Sequence, residues 1–347
     1  MDYDTLLDAA IDSGYLPSSL IRLGARQMTR GRLRDIIAPT LEEQQARKQA
    51  FVDALRGMSI AIEQDKANEQ HYEVGVGVLA ACLGPRMKYS SALWSRGAET
   101  IAEAEDAMLE MYLERGEMED GMRVLDLGCG WGSGTIYLAE KMPNSEIVGF
   151  SNSKRQKAYI LAEAERRGLK NVNVITGDAA TFEFERESFD RVMSIEMFEH
   201  MKNYEALLAK VARALRPGGK MFMHVFGHRE MPYHFEEGWM SRYFFTGGTM
   251  PSRDLFLYFQ DDLKIQKQWW VSGTNYQKTL EAWLKNWAAN KTEVRQHLAE
   301  TYGEGNVDRW YNRWKAYYMG SSEFFGWKGG NEFGLIHYLW EKPVRAV

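Results

Sequence analysis

The chain has few cysteines, since only Cys82 and Cys129 occur among its 347 residues. Two cysteines cannot form a disulfide framework, and they do not stand with histidines at the spacing of a zinc site. The region after Met1 has no long apolar run, so the sequence predicts neither a signal peptide nor a membrane-spanning helix. We therefore expect a reducing, cytoplasmic setting, no metal and no stable membrane association.

An excess of basic residues is also missing, because 43 lysines and arginines stand against 48 acidic residues and the formal net charge is −5. Proteins that bind nucleic acid through its phosphates need a basic surface. We therefore expect no nucleic-acid partner. The sequence has no internal repeat and no low-complexity segment, and its overall composition is typical of a globular protein. A homodimer is the expected assembly.

The most informative stretch that is present is the run Val-Leu-Asp-Leu-Gly-Cys-Gly-Trp-Gly at 124–132. An apolar strand ends near Asp126, and Gly128, Gly130 and Gly132 follow before a helical segment. This spacing allows a tight turn and brings a ligand against main-chain N–H groups at the start of a helix. The run predicts a site for a nucleotide-like cofactor, and by itself it suits NAD, FAD or S-adenosylmethionine.

Strand and helix patterns alternate after residue 122, which predicts an α/β fold with a doubly wound, mostly parallel sheet and helices on both faces. The predicted strands are 122–127, 146–150, 172–176, 190–195 and 220–226, and the predicted helices between them are 135–141, 154–168 and 204–215. Ligands bind such sheets beyond the carboxyl ends of the strands. We therefore expect Asp126, Ser151, Asp178 and Glu196, which stand at predicted strand ends, to line one crevice.

The patterns divide the chain into four parts. Residues 1–115 form an N-terminal helical region and cap, and 116–226 form the cofactor-binding core. Residues 227–331 form an irregular, aromatic insertion, and 332–347 contribute a final strand and a tail. Predicted elements outside the core are helices at 4–11, 18–37, 40–63 and 98–115, strands at 264–271 and 333–341, and one helical stretch at 276–319. A long insertion between the last strands of a sheet is usually functional, so we expect it to cover the substrate.

Three features near the strand ends favour S-adenosylmethionine over a dinucleotide. Asp126 stands two residues before the first glycine, where a carboxylate can meet a ligand ammonium group. The acid that holds a ribose about 20 residues further on in dinucleotide sites is missing, since 149–153 reads Gly-Phe-Ser-Asn-Ser. Asp178 can accept a hydrogen bond from an adenine amino group. A plain turn or capping role remains the alternative for Asp126 and for Asp178.

Further motifs stand in a recognisable order. They are Asn-Glu-Gln-His-Tyr-Glu-Val at 68–74, Lys-Tyr-Ser-Ser at 88–91, Asn-Ser-Lys-x-Gln at 152–156, Gly-Asp-Ala at 177–179, Glu-Met-Phe-Glu-His-Met-Lys-Asn-Tyr at 196–204 and Phe-Thr-Gly-Gly-Thr-Met-Pro-Ser at 245–252. In order and spacing the chain resembles the cyclopropane-fatty-acid-synthase-like methyltransferases over about residues 65–341. Within that family it is most similar to the plant amine N-methyltransferases of the coclaurine N-methyltransferase type.

The resemblance implies a class I methyltransferase core with a Rossmann-like sheet, which binds S-adenosyl-L-methionine and releases S-adenosyl-L-homocysteine. In this family Asn152 and Gln156 stand in for the missing ribose acid. The residues that we expect at the cofactor, from the resemblance and from the glycine run together, are Ser90, Asp126, Gly128, Gly130, Asn152, Gln156, Asp178, Ala179 and Ile195.

The run at 196–200 carries the expected chemistry. Methyl transfer is an in-line displacement that needs the nucleophile about 3 Å from the methyl carbon and water kept out. A free amine is mostly ammonium at neutral pH, so a carboxylate that attracts the cation and a base that takes its proton both help. Glu196, Glu199 and His200 share one face if the segment turns helically. We assign Glu196 and Glu199 to amine binding and His200 to the base, and a helix cap is the alternative for Glu199 and His200.

Aromatic residues in the insertion predict a pocket for a flat or cationic ligand, although each of them alone also suits a plain core. The expected substrate-binding residues are Tyr72, Glu73, Glu196, Tyr233, Trp239, Phe244 and Trp327. We expect an N-methyltransferase that acts on a small aromatic amine of the benzylisoquinoline or phenylalkylamine kind.

Two alternatives remain. The first is a lipid C-methyltransferase or cyclopropane-fatty-acyl-phospholipid synthase. In the pattern of those synthases a glycine replaces Glu196, a bicarbonate lies nearby, and a cysteine stands around the place of Ser321. This chain has no cysteine after Cys129, and both departures favour an amine. The second alternative is a protein that binds the cofactor without catalysis.

Overall fold

The alternating pattern after residue 122 folds into a seven-stranded sheet. The computed structural model describes residues 3–61, 75–95, 97–236 and 238–344. Its strands are β1 Arg123–Leu127, β2 Glu146–Ser151, β3 Val172–Thr176, β4 Phe189–Ile195, β5 Leu215–His228, β6 Tyr233–His234, β7 Thr249–Met250, β8 Lys264–Ser272 and β9 Phe333–Glu341. The sheet order is β3-β2-β1-β4-β5-β9-β8, and β6 and β7 form a separate two-stranded ribbon.

The first five strands run parallel, and β9 is antiparallel to both of its neighbours, β5 and β8. Strand β8 therefore runs in the same direction as β1–β5, and only β9 is reversed. Strand β9 lies between β5 and β8 and pairs with β5 over the whole of Phe333–Glu341. Apolar runs such as Val-Leu-Asp-Leu in β1 are buried on both faces, as parallel strands require. The predicted α/β class with a doubly wound, mostly parallel sheet is confirmed.

Helices cover both faces of the sheet and extend beyond it. The α-helices are Tyr3–Asp12, Ser18–Ile36, Leu41–Arg56, Val76–Ala80, Ile101–Gly116, Ser133–Lys141, Lys154–Arg166, Tyr204–Ala214, Trp239–Tyr243, Thr274–Ala289, Lys291–Tyr302 and Val307–Phe325. Short 3-10 turns occupy Phe198–His200, Leu255–Tyr258, Glu304–Asn306 and Trp327–Gly330. Among the described residues, none of the helices is long and apolar enough to cross a bilayer.

Two predicted helical stretches differ from the observed ones. The stretch predicted at 276–319 is three helices, because the chain leaves helical geometry at Asn290 and again at Gly303, whose φ is +84°. The helix predicted at 40–63 is capped by Thr40, whose hydroxyl accepts from Glu43 N at 3.2 Å, but it already ends at Arg56. Ala61 instead forms a β-bridge with Met201.

The insertion owes its rigidity to large aromatic side chains. Trp283 and Trp287 of helix Thr274–Ala289 are fully buried against Trp314 and Tyr318 of helix Val307–Phe325, with ring centroids 5.7–6.2 Å apart. Such rings bury the largest apolar area per residue. The two helices therefore hold their remaining side chains in defined positions over the carboxyl ends of the strands.

The N-terminal helices are attached to the same insertion by ion pairs. Arg22 and Arg26 contact the carboxylate of Glu323 at 2.9 and 2.5 Å. Arg313 donates to both carboxylate oxygens of Asp12, at 2.6 and 2.7 Å. Bidentate pairs of this kind are geometrically specific as well as favourable. The N-terminal region therefore packs on the insertion.

A buried carboxyl group makes the stability of the fold depend on pH. Glu105 is fully buried and accepts from Gly84 N at 3.1 Å and Arg86 N at 2.9 Å, while burial raises its pKa to about 7. The folded state therefore keeps this proton at pH values where the unfolded chain has lost it. The resulting stabilisation is complete below the ordinary pKa of 4.5 and is lost as the pH rises through about 7.

We expect Glu105→Gln, which cannot titrate, to reduce the loss of unfolding free energy between pH 5 and pH 8 by about 1–3 kcal/mol relative to the wild type. Urea denaturation at the two pH values measures this difference. Glu165→Gln, at an exposed position of helix Lys154–Arg166, is the matched control and should leave the pH dependence as it is. An unchanged dependence in Glu105→Gln would contradict the raised pKa.

Candidate active site

A cavity lies beyond the carboxyl ends of β1 and β4, where the strand order reverses. The glycine loop after β1 forms one side, and aromatic side chains of the insertion form the other. The cavity therefore joins a polar half on the sheet to an aromatic half on the insertion.

The glycine loop has the backbone that a cofactor cradle needs. Gly128, Gly130 and Gly132 all have positive φ, at +84°, +52° and +83°. A Cβ on Gly128 would lie 2.6 Å from Met197, and one on Gly132 would lie 2.5 Å from Ile160. A Cβ on Gly130 would meet no atom within 4 Å, because this glycine faces the open cavity. The space beside Gly130 is therefore open to a ligand.

Buried polar groups without a partner lie at the same loop. Ser133, the first residue of helix Ser133–Lys141, lines the cavity, and its hydroxyl has no hydrogen-bond partner among the described residues. Helix N-termini favour negatively charged groups. The unpaired hydroxyl, the free backbone face and the helix start together fit the carboxylate end of S-adenosylmethionine.

Two further buried groups extend the polar half. The carboxylate of Asp126 accepts from Thr135 Oγ1 at 2.7 Å, and burial raises its pKa to about 6. Gln156 Oε1 accepts from Ser151 Oγ at 2.5 Å, and Gln156 also lines the cavity. A carboxylate and an amide fit the ammonium and the hydroxyl groups of the same cofactor.

The structure brings most of the predicted cofactor residues together. Ser90, Asp126, Gly128, Gly130, Gln156 and Ile195 line the cavity, whereas Asn152, Asp178 and Ala179 do not. The carboxylate of Asp178 accepts from Ala180 N at 2.8 Å and from Thr181 Oγ1 at 3.4 Å, which is the plain turn role weighed above, and no helix starts here. Asn152 is exposed just after β2. The cofactor contacts remain predictions.

Glu196 follows the last residue of β4 and points into the cavity. Its φ of +48° is left-handed, which costs about 1–2 kcal/mol for a residue with a side chain. Oε1 accepts from Ser91 N at 3.0 Å and lies 3.2 Å from His224 Nε2, and Oε2 accepts from Tyr276 O–H at 2.8 Å. Burial raises the pKa of the carboxyl group, while the charge of Lys88 opposes the rise.

Glu199 and His200 lie in the 3-10 turn Phe198–His200, but they face different surroundings. His200 lines the cavity, its ring is stacked on Phe245 at 6.2 Å, and burial lowers its pKa to about 4. Glu199 is fully buried and accepts from Phe226 N at 2.7 Å. Burial, followed by the charge of Glu196, raises the pKa of Glu199 well above its usual value. At neutral pH His200 is therefore an unprotonated base, whereas burial favours the uncharged form of Glu199.

The aromatic half of the cavity consists of Tyr89, Phe226, Phe245, Tyr276 and Tyr317. The rings of Phe245 and Phe226 meet edge to face at 6.3 Å, and Phe245 and Tyr317 are 6.0 Å apart. These rings leave an apolar space directly beside the carboxylate of Glu196.

The aromatic residues predicted to bind substrate lie one layer further out. Phe244 stacks on Tyr317 at 4.6 Å, and Trp239 packs on Phe244 at 5.5 Å. Tyr233 contacts Phe235 at 6.3 Å, and Trp327 does not line the cavity. Phe244 and Trp239 support the wall from behind, and Phe245, the neighbour of Phe244, faces the cavity instead. Tyr72 and Glu73 lie outside the described residues.

Sequence reasoning missed several residues of the site. Lys88 and Tyr89 belong to the family motif at 88–91, and Phe245 is the first residue of the motif at 245–252. These motifs could therefore have indicated the three residues. His224 lies in β5 directly opposite Ile195 at the end of β4, where the strand-end rule applies. Tyr276 had no local signal, because the packing of the insertion helices places it.

Comparison with known proteins agrees with this geometry. The family model described as mycolic acid cyclopropane synthetase matches residues 61–331. The (S)-coclaurine N-methyltransferase of Thalictrum flavum subsp. glaucum is 36% identical over 340 residues, which cover 96% of this chain and 94% of the relative. The cyclopropane-fatty-acyl-phospholipid synthase of Escherichia coli is 31% identical over 236 residues, 67% of this chain and 59% of the synthase.

A crystal structure of coclaurine N-methyltransferase bound to N-methylheliamine and S-adenosylhomocysteine superposes with a TM-score of 0.94 at 36% identity, covering 97% of this chain and 99% of that one. The sheet order and the glycine loop define a class I methyltransferase that uses S-adenosylmethionine. Within that class, the chain belongs to the mycolic acid cyclopropane synthetase family.

We expect Gly130→Ala to weaken S-adenosylhomocysteine binding more than tenfold while lowering the unfolding free energy by only about 1–2 kcal/mol through the positive φ. The added methyl group would project into the free space of the cradle. Isothermal titration calorimetry and thermal unfolding measure the two effects. Gly168→Ala is the matched control, since Gly168 also has a positive φ, +71°, and open space around a Cβ. Equal binding by both variants would contradict the cradle.

Proposed function

We propose that the chain methylates the nitrogen of a small aromatic amine with S-adenosylmethionine. The observation that carries the proposal is the carboxylate of Glu196, which faces the cavity beside five aromatic rings. A carboxylate attracts an ammonium group, and desolvated aromatic rings add cation–π attraction of about 1–2 kcal/mol each. Amines of the benzylisoquinoline or phenylalkylamine kind have the charge and the shape for such a pocket.

The proposed cofactor site uses Ser90, Asp126, Gly128, Gly130, Gln156 and Ile195 from the cavity wall, with Asn152, Asp178 and Ala179 near the adjoining strand ends. The bound cofactor supplies an electrophilic methyl group. On the protein side, Glu196 binds and orients the amine, and the aromatic rings exclude water from the reacting nitrogen. His200, neutral at pH 7, accepts a proton from the bound ammonium group and so frees the nitrogen lone pair. The nitrogen then forms the bond to the methyl carbon, and the bond from that carbon to sulfur breaks as S-adenosylhomocysteine leaves.

Glu199 has a different role in this proposal from Glu196. Since it is fully buried and does not line the cavity, it does not compete with Glu196 for the cation. Its hydrogen bond to the backbone of Phe226 holds the aromatic wall at the correct distance from the 3-10 turn. We therefore propose Glu199 as a positioning residue, whereas the sequence alone suggested direct amine binding.

We also propose that the chain forms a homodimer in the cytoplasm. The N-terminal helices support a dimer, because they expose large apolar side chains: Leu6, Tyr15, Leu20, Leu23 and Met28 are 50–91% exposed. Sedimentation velocity of the purified protein at micromolar concentration tests the assembly. A single monomer peak would contradict it.

We expect radioactive methyl groups from labelled cofactor to appear in small aromatic amines and not in phospholipid. The measurement is a transfer screen with a panel of amines and with phospholipid vesicles. Label in phospholipid alone would overturn the proposal in favour of a lipid methyltransferase or cyclopropane synthase. Cofactor binding without transfer to any acceptor would indicate a protein without catalysis.

We expect Glu196→Gly to lower kcat/KM for the amine more than tenfold, which corresponds to about 1.4 kcal/mol in the barrier. Glycine suits the left-handed backbone at this position, so thermal unfolding should show that the variant remains folded. The matched control is Glu187→Gly, at an exposed residue whose φ is also positive, +53°. If both variants retain the wild-type kcat/KM, Glu196 is not part of the site.

A further inference from the structure

A row of buried polar side chains leads away from Glu196 on the side opposite the cavity. His224 Nε2 lies 3.2 Å from Glu196 Oε1, and His224 Nδ1 lies 2.9 Å from His337 Nε2. Arg115 Nη1 then lies 2.7 Å from His337 Nδ1. Both histidines are fully buried. The proposed mechanism uses none of the three residues beyond Glu196, so their burial calls for a reason.

The strand register explains how the row forms. His224 and His337 are direct cross-strand partners in the antiparallel pair of β5 and β9. His224 also pairs with Ile195, the residue before Glu196. Arg115 belongs to the last turn of helix Ile101–Gly116, and its guanidinium lies over the ring of Trp269 at 4.9 Å. Each member is therefore held by regular structure.

The chemistry of arginine gives the row a direction. A guanidinium can only donate hydrogen bonds, so His337 Nδ1 must be the accepting nitrogen and Nε2 must carry the proton. His337 Nε2–H then donates to His224 Nδ1, which leaves the proton of His224 on Nε2, facing Glu196 Oε1. The Tyr112 hydroxyl lies 3.0 Å from the same Nδ1 and shares the single lone pair of this nitrogen with His337 Nε2–H. Both histidines are neutral in this arrangement.

We propose that Arg115, His337 and His224 are positioning residues, which direct an N–H group to Glu196 so that its carboxylate stays ionised and turned toward the substrate. The inference rests on the proposed amine N-methyltransferase function. Burial lowers the pKa values of His224 and His337 well below the usual range, so neither histidine brings a charge of its own into the site. The positive charge stays on Arg115, at the edge of the core.

Other titratable groups face Glu196 and act on it together with the row. They are Lys88 from the loop between helices Val76–Ala80 and Ile101–Gly116, Tyr112 from helix Ile101–Gly116, Glu199 and His200 from the 3-10 turn, and Tyr276 and Tyr317 from the insertion helices. His200 titrates near pH 4, and the tyrosines have raised pKa values. A change confined to Arg115 or His337 leaves all of these groups in place.

The first test observes the tautomers directly in the full-length protein. Long-range proton–nitrogen NMR spectra distinguish Nδ1–H, Nε2–H and doubly protonated imidazole. We expect Nε2–H for both His224 and His337 between pH 6 and pH 8, with signals assigned by His224→Gln and His337→Gln. An Nδ1–H tautomer or an imidazolium at either position would overturn the proposal, whatever the substrate of the enzyme is.

The second test compares Arg115→Met, which removes the donor, with Arg115→Lys, which keeps one. For Arg115→Met we expect the acidic limb of the pH profile of kcat/KM for the amine to move up by about one pH unit. We also expect KM at pH 7 to rise about tenfold, because the ionised carboxylate of Glu196 is less stabilised. Arg115→Lys should restore most of both values. Arg166→Met, at a surface ion pair with Glu163, is the control and should match the wild type.

A purely structural role would lower the melting temperature and the active fraction without moving the acidic limb. An unmoved limb and an unchanged KM in Arg115→Met would therefore overturn the proposal. If Arg115→Met fails to fold, His337→Gln against His337→Leu repeats the comparison, because glutamine can still donate to His224. A wild-type enzyme that methylates no amine would refute the proposed function, and the tautomers would still be tested separately.

Discussion

The site depends on the burial of one carboxylate, that of Glu196. Burying a carboxylate is costly unless hydrogen bonds replace the lost water. Here the replacements come from three separate parts of the chain: the backbone of Ser91 before the sheet, the hydroxyl of Tyr276 in the insertion, and His224 in β5. The left-handed backbone at Glu196 adds a further cost. The sheet, the loop that contains Ser91 and the insertion must therefore all be folded before Glu196 can adopt its position.

The titratable residues Glu196, Glu199 and His200 have different electrostatic roles because their environments differ. Glu196 has hydrogen-bond donors on both carboxylate oxygens, whereas Oε2 of Glu199, three residues later, has no hydrogen-bond partner among the described residues. His200 is neutral because it is buried against Phe245. The segment thus combines one residue suited to binding a cation, one buried support and one proton acceptor. The motif at 196–200 does not set these roles by itself, because the elements packed around it determine the environment of each side chain.

Local features of the sequence predicted the sheet and the cofactor loop well. Strands β3 and β9 begin and end where their patterns indicate, because each is a short apolar run between turn or loop residues. The glycine run predicted the cradle because three glycines in a short stretch permit the positive φ angles that the loop adopts. The substrate wall was different. Phe244 was expected to face the ligand, but it packs behind Tyr317, and Tyr276 takes part instead. Which face a helix turns to the cavity depends on how Trp283, Trp287 and Trp314 pack, and no short pattern contains that information.

Strand β9 has a consequence for how the protein is made. It lies between β5 and β8, and about a hundred residues separate it from β5 along the chain. Such distant pairing is slow, and until it forms the edge of β5 is unpaired and prone to association with other chains. During synthesis the sheet therefore stays open until β9 has been added. Strand β9 also carries His337, so its pairing completes the sheet and the polar row behind Glu196 at the same time. A chain in which β9 has not yet been added has neither the complete sheet nor the complete row.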